Sequence, residues 1–185
     1  MTDFRSASIP PRLLERFIGM CQCGSDISEH LGTLWGLARQ CQHVTEFGVR
    51  GTVSTTALLA AQPRWLVCYD VERRIEVDEL LGLAGRTEMT FTLGDSRTVS
   101  IAHTDLLHID TRHDYDQLRD ELNNSAGRVH KWIALHDTTT FGERGESGGD
   151  GLWQAIEELL AAGEWRLLMR FTNNNGFTVL ERINK

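Results

Sequence analysis

The chain has 185 residues and a formal net charge of −7, with 41% hydrophobic and 24% charged residues. This is the size and balance of one globular domain with a continuous core. Its acidity argues against a broad nucleic-acid footprint, which needs clustered Lys and Arg. No stretch is long and apolar enough to cross a bilayer. The opening MTDFRSASIPPRLLERF lacks an apolar leader core, so a cytoplasmic protein is expected.

In chain order, residues 1–10 read as poorly structured. Pro10 and Pro11 suit the first turn of a helix, where a missing N–H costs nothing, and that helix is expected to reach Met20. Cys21 and Cys23 form a C-x-C without the second paired cluster of a zinc site. With Cys41 and Cys68 they read as reduced thiols, Cys68 inside a strand. Asp26, with Glu29 three residues on, predicts a capping box. Ile27, Leu31, Leu34, Trp35 and Ala38 then give an apolar helical stripe. These elements make residues 1–42 an N-terminal helical segment packed on a core domain of residues 43–185.

From His43 the pattern becomes a strand–helix alternation. Strands are expected at 44–47, 65–69, 89–93, 106–109 and 132–135. Helices are expected up to Ala61, around Ile75–Leu83 and over 114–125. Short strands apolar on both faces and joined by helices imply a parallel sheet covered on both sides, an α/β sandwich. The end departs from this rhythm. A helix over 152–162 is followed by strands at 165–171 and 177–180, joined through Thr172-Asn173-Asn174-Asn175-Gly176. Asn-Gly there predicts a hairpin and one antiparallel strand. Residues 141–151, polar and glycine-rich, read as a mobile loop, either a linker or a lid at the ligand-binding edge. Trp153 and Trp165 read as core packing.

Candidate site residues fall at strand ends. Glu46-Phe47-Gly48-Val49-Arg50-Gly51-Thr52 joins a strand to a helix. Its glycines allow a tight turn and close ligand approach. The spacing is neither G-x-G-x-x-G nor a P-loop, which disfavours a nicotinamide enzyme and suits a ligand with hydroxyls and an amine but no phosphate. Asp70, about twenty residues on, is placed to accept both hydroxyls of a ribose; helix capping is the alternative. Asp95, in Gly94-Asp95-Ser96, is placed to meet an adenine amino group, and Asx-turn chemistry explains the same residues equally well.

Together these motifs resemble the cofactor site of class I S-adenosylmethionine-dependent methyltransferases. The terminal hairpin matches their Rossmann-like, three-layer αβα sandwich with a mostly parallel seven-stranded sheet. Leu106-Leu107-His108-Ile109-Asp110-Thr111-Arg112-His113-Asp114-Tyr115, Ala134-Leu135-His136-Asp137-Thr138 and Thr172–Leu180 resemble one branch, the cephalosporin hydroxylase-like and macrocin-type sugar O-methyltransferases. Thr111 and Arg112 depart from the Gly-Asp usual there. The resemblance implies a methyltransferase acting on a small-molecule or sugar hydroxyl. It implies S-adenosylmethionine bound by Glu46, Gly48, Gly51, Asp70, Asp95 and Ser96. Mg²⁺ would sit on Asp110 and Asp137 with His136 as a further ligand or orienter, and His113 would be the general base beside catalytic Asp110. Helix capping and loop hydrogen bonds are the plainer roles for the same Asp and His residues. A non-catalytic cofactor-binding or assembly module of the same fold is the alternative function. The missing acceptor-binding cap suggests a homodimer.

Overall fold

The computed structural model describes residues 8–183. The expectation of little structure before Pro10 falls in part on residues 1–7, which lie outside them. Helix α1, Pro11–Gln22, opens with Pro11 in its first turn, as expected, and runs slightly beyond Met20. The capping box does not form. Residues Ser28–His30 make a 3₁₀ turn, and α2, Leu31–Ala38, starts after it with no side-chain cap. Glu29 is drawn away instead. Its N–H donates to Asn174 Oδ1, and its carboxylate accepts from the Asn173 amide of the distant C-terminal turn. Tertiary partners therefore outcompete the local cap.

Strand β1, His43–Phe47, leads through the glycine turn into α3, Val53–Ala60, which ends before Pro63. Then follow β2 (Trp65–Asp70), α4 (Ile75–Leu81), β3 (Glu88–Leu93), β4 (Thr104–Ile109), α5 (Tyr115–Ser125) and β5 (Val129–His136). Helix α6 (Leu152–Ala161) precedes β6 (Trp165–Phe171) and β7 (Phe177–Arg182). The seven strands lie in the order β3-β2-β1-β4-β5-β7-β6. Only β7 runs against the rest, pairing antiparallel with both β5 and β6. Each expected strand is present, with β4 and β5 starting earlier than their apolar runs because Thr104 and Val129 pair across the sheet.

Alternation along the strands divides the core into two layers. Val44, Leu66, Leu106 and Val179 pack with Leu13, Leu34, Leu58 and Leu80 from α1–α4. Phe47, Leu107, Ile109, Ile133 and Leu180 pack on the other face with Leu118, Leu122 and Ile156 from α5 and α6. Each fully buried leucine contributes about 1.5–3 kcal/mol by leaving water. Trp165 is buried, as expected. Trp153 is half-buried, its indole N–H donating to the Thr138 carbonyl at 2.7 Å.

The Asn-Gly hairpin is wider than a two-residue turn. Asn174, Asn175 and Gly176 all have positive φ, and the Asn175 carbonyl accepts the N–H groups of Thr139 and Thr140 beyond β5. The loop over 141–151, expected to be mobile, is a folded turn. Arg144 and Asp150 form an isolated bridge, and Asp114 accepts from both the N–H and the hydroxyl of Ser147.

The strand order steps outward from β1 to β3 and then returns to β4. The two halves of the sheet diverge at the carboxyl ends of β1 and β4, where open α/β sheets place their ligands.

Candidate active site

Gly48 ends β1 at φ +82°. A Cβ added there would lie 1.9 Å from the Asp110 carbonyl oxygen. The glycine is therefore required by the contact between the ends of β1 and β4, a role that turn spacing does not reveal. Gly51 faces open space, with no atom within 4 Å of an added Cβ. Arg50 and Thr52 take left-handed backbone at φ 42° and 62°, a conformation that costs non-glycine residues about 1 kcal/mol or more each. Asp70 holds this turn in shape. Its Oδ2 accepts the N–H groups of Val49 and Arg50 at 2.7 and 3.0 Å, and its Oδ1 accepts that of Glu72. A carboxylate oxygen carries two lone pairs, so Oδ2 is saturated by its two N–H donors and Oδ1 keeps one lone pair free.

Glu46 corrects its sequence assignment. It is fully buried beneath the turn and does not line the crevice. Ser54 Oγ donates to it at 2.7 Å, and Cys68 Sγ at 3.4 Å. Burial pushes its carboxyl up to about 7, against the opposing hydrogen bonds from Ser54, Thr55 and Cys68. The folded protein thus holds this proton more tightly than the unfolded chain. The resulting penalty is absent at pH 4 and grows as the pH rises to 7. Glu46→Gln should gain about 3 kcal/mol relative to the parent across that window, measured by urea unfolding at several pH values. A stability difference that stays flat with pH would contradict this.

Asp95 lines the larger crevice but takes the second of its two expected roles. Its carboxylate accepts from the Arg97 N–H at 3.0 Å and from the Arg97 guanidinium at 2.7 Å, so the Asx turn with a salt bridge is the arrangement that forms. Ser96 lines the crevice, but its hydroxyl donates to Glu121 at 2.5 Å.

Beyond β4 and β5, four titratable side chains converge. His113 Nε2 lies 2.8 Å from Asp137 and 3.6 Å from Asp110. His136 Nδ1 lies 3.1 Å from Asp137 and 3.5 Å from Asp110. His136 Nε2 faces the carbonyls of Asp26 and Asn174, which can accept its N–H, so Nδ1 is the nitrogen turned towards the carboxylates. Phe141 stacks on His113 with centroids 4.7 Å apart, and Glu146 reaches His113 Nδ1 at 3.3 Å. Burial alone would hold both imidazoles neutral, but Asp110 and Asp137 outweigh it and lift each to about 10. Asp137 is drawn down to about 2: burial opposes this, and its bonds to His113 and His136 prevail. Asp137 also has a left-handed backbone at φ 59°.

These groups fit a divalent cation. Ligand atoms of Asp110, His113 and Asp137 all lie within 4.8 Å of one another. Asp110 Oδ1, Asp137 Oδ1, both His113 ring nitrogens and His136 Nδ1 are buried without a well-directed hydrogen bond. Hard carboxylate oxygens with imidazole suit Mg²⁺ or Mn²⁺.

Two adjoining crevices open at this edge. The larger, about 450 Å³, runs from Gly48 past Tyr69, Asp70 and Ser96 to Asp110 and His113. The smaller, about 250 Å³, lies between Ser25–Ile27 and the glycine turn, and shares Gly48, Arg50 and Asp110 with the first. The Ser25 hydroxyl in it is buried without a partner. Thus Gly48, Gly51, Asp70, Asp95, Ser96, Asp110, His113, His136 and Asp137 gather along one rim, Asp95 with its carboxylate held by Arg97, while Glu46 is buried beneath it. Sequence reasoning missed Ser25, Glu146 and Glu121. Glu121 had a signal: Gln117 and Glu121 sit among Leu118, Leu122 and Ser125 on the buried face of α5.

No protein-family model matches the sequence, and a comparison with curated proteins finds no relative. Solved structures do match the fold. The chain resembles the O-methyltransferase TomG from Streptomyces achromogenes in complex with S-adenosylmethionine, at 17% identity and a TM-score of 0.68, over 95% of this chain and 91% of that one. It resembles the N-methyltransferase NodS from Bradyrhizobium japonicum WM9 with S-adenosylhomocysteine, at 14% identity and a TM-score of 0.66, over 98% and 95%. A ribosomal protein L11 methylase from Lactobacillus delbrueckii subsp. bulgaricus matches at 12% identity and a TM-score of 0.60, over 84% and 79%. The chain therefore has the Rossmann-like fold of class I methyltransferases. Among the described residues no helix is long and apolar enough to cross a membrane.

Proposed function

We propose that the protein is an S-adenosylmethionine-dependent O-methyltransferase acting, with a divalent cation, on a small-molecule hydroxyl such as that of a sugar. The observation carrying this reading is the continuity of the two-part crevice with the Asp110–His113–His136–Asp137 cluster. A nucleoside-sized cleft then ends at a cation-binding and proton-accepting centre.

Asp70 would take a ribose hydroxyl with the spare lone pair of its Oδ1. The smaller crevice offers the unpartnered Ser25 hydroxyl, the Asp26 carboxylate and the Arg50 guanidinium, which suits a zwitterionic amino-acid tail. The cofactor would supply an electrophilic methyl group. Asp110, Asp137 and His136 would hold the cation, whose Lewis acidity would favour ionisation of the acceptor hydroxyl. With a cation offsetting the Asp110 and Asp137 charges that otherwise keep its ring protonated, His113 is assigned as the group that takes the hydroxyl proton on Nε2, with Glu146 orienting the ring through Nδ1. The stack on Phe141 fixes the plane of that imidazole. Alignment of acceptor oxygen and methyl carbon along the rim would provide much of the rate.

The test is transfer of label from methyl-tritiated S-adenosylmethionine to a panel of sugar and catechol hydroxyls, with Mg²⁺ or with EDTA. Labelled ether product that falls about tenfold or more in EDTA is the expected result. Transfer undiminished by chelation removes the cation. Cofactor binding with no transfer to any acceptor favours a non-catalytic module of the same fold, a reading supported by the Thr111-Arg112 departure.

A further inference from the structure

Three polar side chains on the wall of the larger crevice are tied to one buried carboxylate. Glu121, on α5, is fully buried. Its Oε1 accepts from Ser96 Oγ at 2.5 Å, Gln117 Nε2 at 2.7 Å and Thr111 Oγ1 at 2.8 Å. Gln117 Nε2 also donates to Ser96 Oγ at 3.2 Å. Ser96, Thr111 and Gln117 all line the crevice.

The donor arithmetic follows from the groups involved. Each hydroxyl has one proton, and both are given to Glu121. The Gln117 amide has two N–H bonds, spent on Glu121 and Ser96. What remains for a ligand is lone pairs on Ser96 and Thr111 and the Gln117 carbonyl. Left to themselves, the same three residues could each present a donor or an acceptor. Thr111 is also the residue that departs from the Gly-Asp of the resembling branch, and a glycine there would have no hydroxyl for Glu121 to hold. Asp95, the other acid near this wall, is committed to Arg97.

We infer that Glu121 is a specificity-determining positioning residue: it fixes this stretch of crevice as acceptor-only, selecting a nucleobase edge that carries an amino group over one that carries a keto oxygen. The inference rests on the proposed cofactor reading and deepens it. An adenine presents the exocyclic N–H groups that such a wall can accept. A hypoxanthine presents an oxygen there, and lone pairs would face lone pairs in a partly desolvated site.

The test compares S-adenosylhomocysteine with S-inosylhomocysteine by calorimetric titration of the parent, Glu121→Gln and Thr111→Val. The parent should favour the adenosyl compound by about tenfold or more. Glu121→Gln brings an N–H into the network, which lets a wall hydroxyl turn and donate outward, so the preference should shrink to about threefold or less. Thr111→Val leaves Glu121 in place and removes one acceptor. It should weaken the adenosyl compound several-fold and leave the inosyl compound unchanged. A purely structural role for Glu121 would weaken both ligands equally. An unchanged ratio in both variants overturns the inference while leaving cofactor binding intact, whereas failure of the parent to bind either compound overturns both readings. Should Glu121→Gln fail to fold, the Thr111→Val ratio decides alone.

Discussion

Asp110→Asn is expected to lose Mn²⁺ binding by about 100-fold or more while holding S-adenosylhomocysteine within about threefold of the parent. Asp110 contributes a hard anionic oxygen to a cluster whose other carboxylate is Asp137, so the substitution removes half of the negative charge available to a cation. The nucleoside would instead be held by Asp70, the glycine turn and the wall over α5, none of which needs the Asp110 side chain. Without metal, the variant should also be less stable by about 3 kcal/mol, because His113 and His136 lose a buried counter-charge. Paramagnetic titration of Mn²⁺ and calorimetry with S-adenosylhomocysteine check the two halves. Loss of both ligands together would mean that Asp110 organises the crevice instead of holding a cation. His113→Gln separates the roles within the cluster. If His113 accepts the proton, Mn²⁺ affinity stays within about tenfold and transfer is lost. If its Nε2 is a ligand, metal affinity falls as far as in Asp110→Asn.

Gly48→Ala should be the most destabilising single methyl addition at this site. The new Cβ would stand 1.9 Å from a backbone carbonyl oxygen, and the φ of +82° disfavours any L side chain. Backbone on both sides leaves no flexible side chain to move aside, so β1 and β4 must separate where the crevice begins. A loss of about 4 kcal/mol or more is expected by urea unfolding, with cofactor binding lost in parallel. Gly51→Ala, which meets nothing within 4 Å, should stay within about 1 kcal/mol of the parent. Equal stability of the two variants would contradict the close approach of β1 to β4.

What the sequence disclosed and what it hid follow one physical division. Apolar runs such as Trp65–Tyr69 and Trp132–Leu135 reveal strands, because burial on both faces leaves no choice of residue type. The positions of Asp70, Asp110 and Asp137 at strand ends were legible for the same reason. Partner choice was not. Asp26 and Glu29 carry a capping signature, yet Glu29 binds Asn173 and Asn174, nearly the whole chain away. Asp95 and Arg97 sit two residues apart and neutralise each other, while Glu46 turns inward to Ser54. Spacing shows which acids reach the rim but not which way each side chain points. Glu121 is the same problem in reverse: Leu118 and Leu122 mark the covered face of a helix that otherwise reads as polar, but which hydroxyls the buried carboxylate holds is set by tertiary packing.

Calorimetric titration of S-adenosylhomocysteine into the unmodified protein, with NAD as a parallel ligand, bears most directly on the crevice as a nucleoside site. One equivalent of the adenosyl compound should bind with a Kd in the range of about 1–100 μM, and NAD should give no saturable heat. Saturable binding of NAD with none of S-adenosylhomocysteine would contradict it.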